Sequence, residues 1–109
     1  MELSIVIPAY NEENRLPPTI ERVFSHLKEN YRGQYDVIIA DDGSEDRTAE
    51  VVEDLMKIHP QLKLLRLPHK GYGGAVRSGM LATEGEYLLV MAADGSANEE
   101  AIMRFLAFM

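Results

Sequence analysis

Apolar residues follow two different rhythms along this chain. Four short runs are apolar at nearly every position, and the segments after them carry apolar residues every three or four positions. The first rhythm predicts β-strands that are buried on both faces, and the second predicts helices that bury one face. The predicted strands cover residues 3–8, 36–43, 62–68 and 87–92, and one helix follows each of them.

The helical segments differ in composition. Pro17 and Pro18 are tolerated only in the first turn of a helix, so the first helix should begin near Asn14. Small residues dominate the third helical segment, 73–83, which favours close packing on the sheet. The other apolar stripes are Leu16, Ile20, Val23, Phe24, Leu27 and Tyr31, then Val52, Leu55, Met56 and His59, and finally Ile102, Phe105, Leu106 and Met109.

This alternation of strands and helices predicts an α/β fold, in one domain that spans residues 1–109. Right-handed crossovers would give a Rossmann-like three-layer α/β/α sandwich, with a mostly parallel sheet of strand order 3-2-1-4. The last stripe ends in FLAFM, without the glycine, proline or basic residue that closes many helices. We therefore expect a truncated chain, whose last helix meets further structure or a second copy of itself.

The charge balance limits the partners. Eleven basic residues against 18 acidic ones give a net charge of −7, which repels nucleic acid and anionic membranes. A phosphate ligand must then be held by local donors or by a metal ion.

The chain has no cysteine, which excludes disulfides and thiolate chemistry. No leader or membrane-spanning run is recognisable, so the expected location is the cytoplasm. The six methionines are interpreted as core residues.

Polar residues gather after each predicted strand. The segments are 8–14, 41–48, 68–74 and 93–96. Because ligands of open α/β sheets bind beyond the carboxyl ends of the strands, this edge is the candidate site.

Asp41 and Asp42 end the second apolar run. Turn formation explains Gly43 and the residues after it, with Ser44 or Asp46 capping the next helix. It explains adjacent carboxylates at a buried strand end less well, because like charges oppose each other's ionisation. We favour a ligand role, either a hydrogen bond to a base or ribose or support of a metal site.

The segment HKGYGGAVRSG, residues 69–79, could hold a phosphate. Its glycines let backbone amides approach an anion at a helix start, and Lys70 and Arg77 add positive charge. It does not match the dinucleotide fingerprint and follows the third strand, so a simple helix start is an open alternative. His69 is favoured as a structural residue over a phosphate contact, and His26 and His59 as helix residues. Glu12 has an equally open alternative role at a helix dipole.

Taken in order, four motifs resemble the nucleotide-sugar half of family-2 glycosyltransferases with the GT-A fold. The motifs are SIVIPAYNEENRLPPTI, VIIADDGSEDRT, LLRLPHKGYGGAVRSGM and GEYLLVMAADGS, and they cover essentially the whole chain. The most similar subgroup is that of the dolichyl- and polyprenyl-phosphate sugar synthases.

The resemblance implies roles for individual residues. Pro8, Tyr10 and Glu12 would line a base and ribose pocket. Asp41 and Asp42 would belong to the same nucleotide-binding set, with Asp42 hydrogen-bonded to the base. The residues expected to face the nucleotide and its diphosphate are Lys70, Gly74 and Arg77.

The resemblance also implies a divalent ion. In the family, an Asp-x-Asp motif after the fourth strand binds Mg²⁺ or Mn²⁺. Here the motif falls on Ala92, Ala93 and Asp94, so Asp94 is the expected metal ligand and affinity should be weakened by Ala92 in place of an acid. A second departure is Tyr72, which stands where the subgroup has a lysine and leaves the role of Lys70 open.

The implied function is the donor half of an inverting hexosyltransferase. A UDP- or GDP-sugar would be the donor, and a lipid phosphate or saccharide the acceptor. The half that carries the acceptor site and catalytic base is absent, so no catalytic residue is assigned and turnover should be impaired. Association with the cytoplasmic face of a membrane would depend on that half.

The alternative to this function is a non-catalytic nucleotide-binding or self-associating α/β module. A phosphoacceptor receiver domain is disfavoured, because its acid pair follows the first strand.

Overall fold

Strands and helices alternate strictly in this protein. The computed structural model describes residues 2–83, 85, 87–91 and 93. The strands are β1 (Glu2–Ala9), β2 (Gln34–Asp41), β3 (Leu62–Arg66) and β4 (Tyr87–Val90), and the helices are α1 (Leu16–Asn30), α2 (Thr48–Met56) and α3 (Tyr72–Leu81). The predicted fourth helix and the predicted metal ligand Asp94 lie outside the described residues.

The four strands form a parallel sheet of order β3-β2-β1-β4, which confirms the predicted order. The central strand β1 pairs with β2 on one side and with β4 on the other. All strands point the same way, so the loops that follow them meet at one edge of the sheet. This edge carries the polar segments.

Helices cover both faces of the sheet, as the three-layer prediction requires. On one face, Ile5 and Ile7 of β1 join a large cluster with residues of α1 and α2. On the other face, Val6 packs with Ala75 of α3 in a smaller cluster. A side chain at Gly79 would place its Cβ 2.5 Å from Cγ1 of Val6, so only glycine lets α3 rest this closely on β1.

Two predictions about α2 and the methionines were wrong in detail. α2 ends at Met56, one turn earlier than the apolar stripe suggested, and Met56 is 36% exposed. Met80, near the end of α3, is 45% exposed, whereas Met91 is buried. His59 lies beyond α2 and stacks on Phe24 with ring centroids 4.4 Å apart.

Over the described ranges, no helix combines the length and apolarity that a membrane crossing requires.

Candidate functional site

A cavity of about 300 Å³ opens at the carboxyl edge of the sheet. The loops after β1, β2 and β3 and the first turn of α3 form its walls. The lining residues are Pro8, Ala9, Tyr10, Glu12, Asp42, His69, Gly71, Tyr72, Ala75 and Ala93. Four residues of the predicted nucleotide-binding set therefore meet in one place, namely Pro8, Tyr10, Glu12 and Asp42.

The carboxylate of Asp42 is the most heavily hydrogen-bonded group in this cavity. It is only 4% exposed. Its Oδ1 accepts the amide of Lys70 at 2.9 Å. Its Oδ2 accepts the amide of Gly71 at 3.0 Å and Nδ1 of His69 at 2.9 Å. All three donors belong to the loop after β3, so Asp42 fastens that loop to the end of β2.

These donors also determine the ionisation of Asp42. Burial favours the neutral acid, but the amides of Lys70 and Gly71 and the ring of His69 stabilise the anion more. The net result is a pKa for Asp42 that is lowered from its ordinary value. Asp42 is therefore a carboxylate at neutral pH and can act only as a hydrogen-bond acceptor.

His69 joins two walls of the cavity. Its Nδ1 lies 2.9 Å from Oδ2 and 3.0 Å from the backbone oxygen of Asp42. Since both of these atoms are acceptors, Nδ1 carries a proton and donates to them. The ring also stacks on Tyr10, with centroids 4.2 Å apart and planes 20° from parallel.

Gly43 lets the loops after β2 and β3 approach each other. Its φ is +69°, in the left-handed region that favours glycine. A Cβ at this position would lie 2.7 Å from the backbone nitrogen of His69. Asp–Gly is thus more than a turn signal here, because the missing side chain makes room for the His69 backbone.

Asp41 is buried like its neighbour but makes different contacts. Its carboxylate accepts the amide of Ser44 at 3.1 Å and the Ser44 hydroxyl. The same hydroxyl oxygen accepts the amide of Asn11 at 2.9 Å. Asp41 does not line the cavity. Its observed contacts are those of turn chemistry, and a nucleotide contact for Asp41 stays a prediction.

Asp46 and Thr48 support the loop after β1. Asp46 accepts the amides of Thr48 and Glu13 at 2.9 and 3.3 Å, and Thr48 Oγ1 accepts the amide of Glu12 at 2.9 Å. Burial again favours the neutral acid, but the Thr48 hydroxyl and these amides lower the pKa of Asp46. Asp46 thus accepts the first amide of α2, although the N-cap position itself is Arg47, and it also holds the backbone at Glu13.

Glu12 extends from this supported loop into the cavity wall. Its carboxylate is paired with the guanidinium of Arg15, with Nε 2.6 Å from Oε2. The Glu12 side chain is 14% exposed, whereas that of Arg15 is 61% exposed. The guanidinium of Arg15 balances the negative charge of the Glu12 carboxylate, so this carboxylate is not an isolated charge at the cavity.

The three residues predicted to face a diphosphate do not all line the same cavity. Lys70 and Gly74 line an adjoining cavity of about 170 Å³, which shares Asp42 and Ala75 with the first. Arg77 is exposed on α3 and lines neither of these two cavities. The start of α3 lies between the cavities, without a side-chain cap on its first amides.

The described carboxylates do not form a metal site. Among residues 2–83, 85, 87–91 and 93, no group of three potential protein ligands is close enough to hold an ion. Asp42 is occupied by N–H donors and Glu12 by Arg15. Next to the predicted ligand, the backbone oxygen of Ala93 accepts the hydroxyl of Thr19 at 3.0 Å, so it is engaged as well.

Sequence reasoning underestimated His69 and did not place Tyr72 in the pocket. A signal for His69 was available, because the order 3-2-1-4 puts the loop after β3 beside the loop after β2. The signal for Tyr72 was weaker. In the structure it is 64% exposed at the first position of α3 and lines the cavity.

The curated proteins that this chain resembles include the same enzyme from several organisms. The chain is 40% identical over 101 residues to dolichyl-phosphate beta-glucosyltransferase of Dictyostelium discoideum, covering 86% of this chain and 31% of that protein. The chain therefore spans about a third of the length of such curated relatives.

Solved structures share the fold. Staphylococcus aureus TarS 1–349 is 27% identical, with a TM-score of 0.74 over 99% of this chain and 32% of that chain. TarS has also been crystallised with UDP. A mannosyltransferase of Pyrobaculum calidifontis, in complex with GDP-Man and Mn²⁺, is 25% identical, with a TM-score of 0.69 over 84% of this chain and 27% of that one.

The match at family level covers nearly the whole chain. The family described as glycosyl transferase family 2 matches residues 4–109. The parallel sheet of order β3-β2-β1-β4 and its likeness to these glycosyltransferase structures agree with that match. This chain belongs to glycosyl transferase family 2 and has the GT-A type of α/β fold.

Proposed function

We propose that this chain binds the nucleotide-sugar donor of an inverting hexosyltransferase. The donor is a UDP- or GDP-sugar, and the acceptor is a lipid phosphate of the dolichyl or polyprenyl type or a saccharide. Family membership and the dolichyl-phosphate relatives support this assignment. The acceptor site and the catalytic base are assigned to the remainder of such an enzyme, since the chain spans 31% of that relative.

Asp42 is the observation that carries the proposal. A carboxylate has about four acceptor positions, and three N–H donors of the protein occupy three of them. The remaining position is on Oδ1, because Oδ2 receives two of the donors. A buried anion with one acceptor position left at a cavity wall is suited to bind one N–H of a ligand.

That requirement separates the nucleobases. Uracil and guanine carry a ring N–H in their hydrogen-bonding edge, whereas cytosine and adenine carry a ring nitrogen with a lone pair there. With its remaining acceptor position facing the ring nitrogen of a base, the ionised Asp42 would attract an N–H there and repel a lone pair. Uridine and guanosine nucleotides are therefore the donors that fit, in agreement with the UDP and GDP-Man complexes of the similar structures.

The rest of the donor extends along the sheet edge in this proposal. Tyr10, Pro8 and Glu12 contact the base and ribose, and Lys70 and Gly74 in the adjoining cavity face the diphosphate. The first amides of α3 contribute positive potential at the same point. Arg77 and Asp41 are retained in the binding set as weaker contributors. An Mg²⁺ or Mn²⁺ ion at Asp94 would neutralise the diphosphate, with reduced affinity because Ala92 supplies no carboxylate.

Titration calorimetry of the purified chain tests this function. UDP-glucose and GDP-mannose are titrated with Mn²⁺ and then with EDTA, and CDP and ADP serve as the mismatched bases. We expect binding of a uridine or guanosine donor that is at least about tenfold tighter than that of CDP or ADP, a difference of about 1.4 kcal/mol. EDTA should weaken the binding of UDP-glucose and GDP-mannose, because it removes the ion that would neutralise their diphosphates.

Each alternative to the proposed function predicts a different result in the nucleotide titrations. The absence of binding to every nucleotide near a millimolar, together with concentration-dependent sedimentation, would favour a self-associating module. Equal binding of all four bases would contradict the role of Asp42. In the complete enzyme, the proposal places the reaction at the cytoplasmic face of a membrane, where a lipid-phosphate acceptor is reached.

A further inference from the structure

His69 connects the two cavity walls that a base would touch. Its Nδ1 donates to Oδ2 of Asp42 at 2.9 Å, and its ring stacks on Tyr10 at 4.2 Å. Asp42 follows β2, Tyr10 follows β1, and His69 belongs to the loop after β3. One side chain therefore fixes both a polar and an aromatic element of the cavity.

The hydrogen bond from His69 decides how many acceptor positions Asp42 presents. Oδ2 receives the Gly71 amide and His69 Nδ1, so both of its positions are filled. Oδ1 receives only the Lys70 amide. Without the His69 donor, Asp42 would present acceptor positions on both oxygens and could also accept the exocyclic amino groups of cytosine and adenine.

The ring of His69 acts on the second wall. Tyr10 is 38% exposed, and the stacked ring of His69 covers one of its faces. A fixed ring offers a flat face of defined direction to a base, and stacking of this kind depends on its orientation.

We propose that His69 is a positioning residue that sets the base selectivity of this site. By filling Oδ2 of Asp42 it leaves a single acceptor for the ring N–H of uracil or guanine, and by stacking on Tyr10 it orients the opposite wall. This inference rests on the proposed function and goes beyond it, since it assigns selectivity to a side chain that does not itself read the base.

Two substitutions separate the two contacts. His69→Asn keeps an N–H donor at the same distance from the backbone as Nδ1 but removes the ring. His69→Phe keeps the ring and removes the donor. The His69 side chain is 56% exposed, so neither change removes a core residue. His26→Phe on α1, away from the cavity, is the matched control.

The measurements are dissociation constants for UDP, GDP, CDP and ADP by calorimetry, with thermal unfolding to show that each variant is folded. For His69→Phe we expect the preference for the better of UDP and GDP over CDP and ADP to fall by about tenfold, since one charged hydrogen bond controls it. For His69→Asn we expect the preference to be kept while all four affinities fall by roughly threefold to tenfold. His26→Phe should change neither quantity.

The outcomes distinguish this inference from the function beneath it. Wild-type preference that survives unchanged in His69→Phe overturns the role of His69 and leaves the donor-binding function intact. If His69→Phe does not fold, His69→Leu provides the same test of the missing donor. A wild-type chain that binds none of the four nucleotides removes the proposed function and the assignment of His69 together.

Discussion

Two hydrogen-bond networks lie side by side at the carboxyl edge of the sheet, and they serve different ends. One surrounds Asp42 and faces the main cavity. The other contains Asp41, Asp46 and Thr48 and holds the loop after β1 against the loop after β2. Both have buried or half-buried carboxylates, and in each one the pKa of an aspartate is lowered. Burial and ionisation therefore do not distinguish the two networks, and the proposal for Asp42 rests instead on its remaining acceptor position at a cavity.

Asp42→Asn should have the largest effect. An amide offers one acceptor oxygen, and its NH₂ group would face either the amide of Lys70 or the N–H donors of Gly71 and His69. We expect nucleotide affinity to fall by about 100-fold, and the free energy of unfolding to fall by roughly 2–4 kcal/mol. Calorimetry and chemical denaturation measure the two losses. Normal affinity in this variant would show that the cavity does not use Asp42.

Gly43→Ala should come next. The new Cβ would lie 2.7 Å from the backbone nitrogen of His69, at a φ of +69°. We expect a loss of about 2–3 kcal/mol in stability, together with weaker nucleotide binding, because the loop after β3 must shift. Denaturation curves and titrations of the same preparation show whether the two losses occur together. A variant as stable as wild type would mean that the loop moves aside freely.

Asp46→Asn tests the supporting network alone. It weakens the bonds to Thr48 and Glu13 but leaves the cavity lining in place. The expected cost is about 1–2 kcal/mol of stability, with nucleotide affinity within roughly threefold of wild type. A binding loss as large as that of Asp42→Asn would show that the two networks act as one.

The two aspartates also predict the acid limb of the stability profile. Both pKa values are lowered from the ordinary 3.8 in the folded chain, so the unfolded chain binds more protons in this range. Their contribution is complete above the unfolded pKa and is lost as the pH falls through the folded one. Denaturation between about pH 2 and 6 should show this loss below about pH 4. The limb should flatten in Asp42→Asn and in Asp46→Asn, and an unchanged limb in both would contradict the assignment.

Gly73→Ala should have the smallest effect and is the control for Gly43. A Cβ at Gly73 meets nothing within 4 Å, and the residue lies in α3. We expect a gain of about 0.5–1 kcal/mol from the higher helix propensity of alanine. Thermal unfolding measures it. A loss of stability would indicate a constraint on the α3 backbone that the contacts do not explain.

The sequence was sufficient for the fold and for the edge at which the polar residues meet. Apolar runs and stripes predicted the strand order, and the order brought Pro8, Tyr10, Glu12 and Asp42 to one cavity. The different directions of Asp41 and Asp42 required one more step. Neighbouring strand residues face opposite sides. Ile39 belongs to the cluster under α1 and α2 and Ala40 to the cluster under α3, so Asp41 and Asp42 continue those two faces.

Other features could not be read from the pattern. The role of His69 depends on the close approach that Gly43 permits, and this is a matter of a few tenths of an ångström between two loops. Periodicity and motif spacing carry no information at that scale. The end of α2 at Met56 was also missed, because apolar residues continue at helical spacing past the last helical turn.

The contact between Gly79 and Val6 has a consequence for the entropy of binding. With no side chain between α3 and β1, the helix that begins at the cavity shares the positional order of the central strand. A ligand at the first turn of α3 then meets a surface that is already arranged, and few degrees of freedom remain to be lost there on association. Free and ligand-bound forms should differ little in the placement of α3.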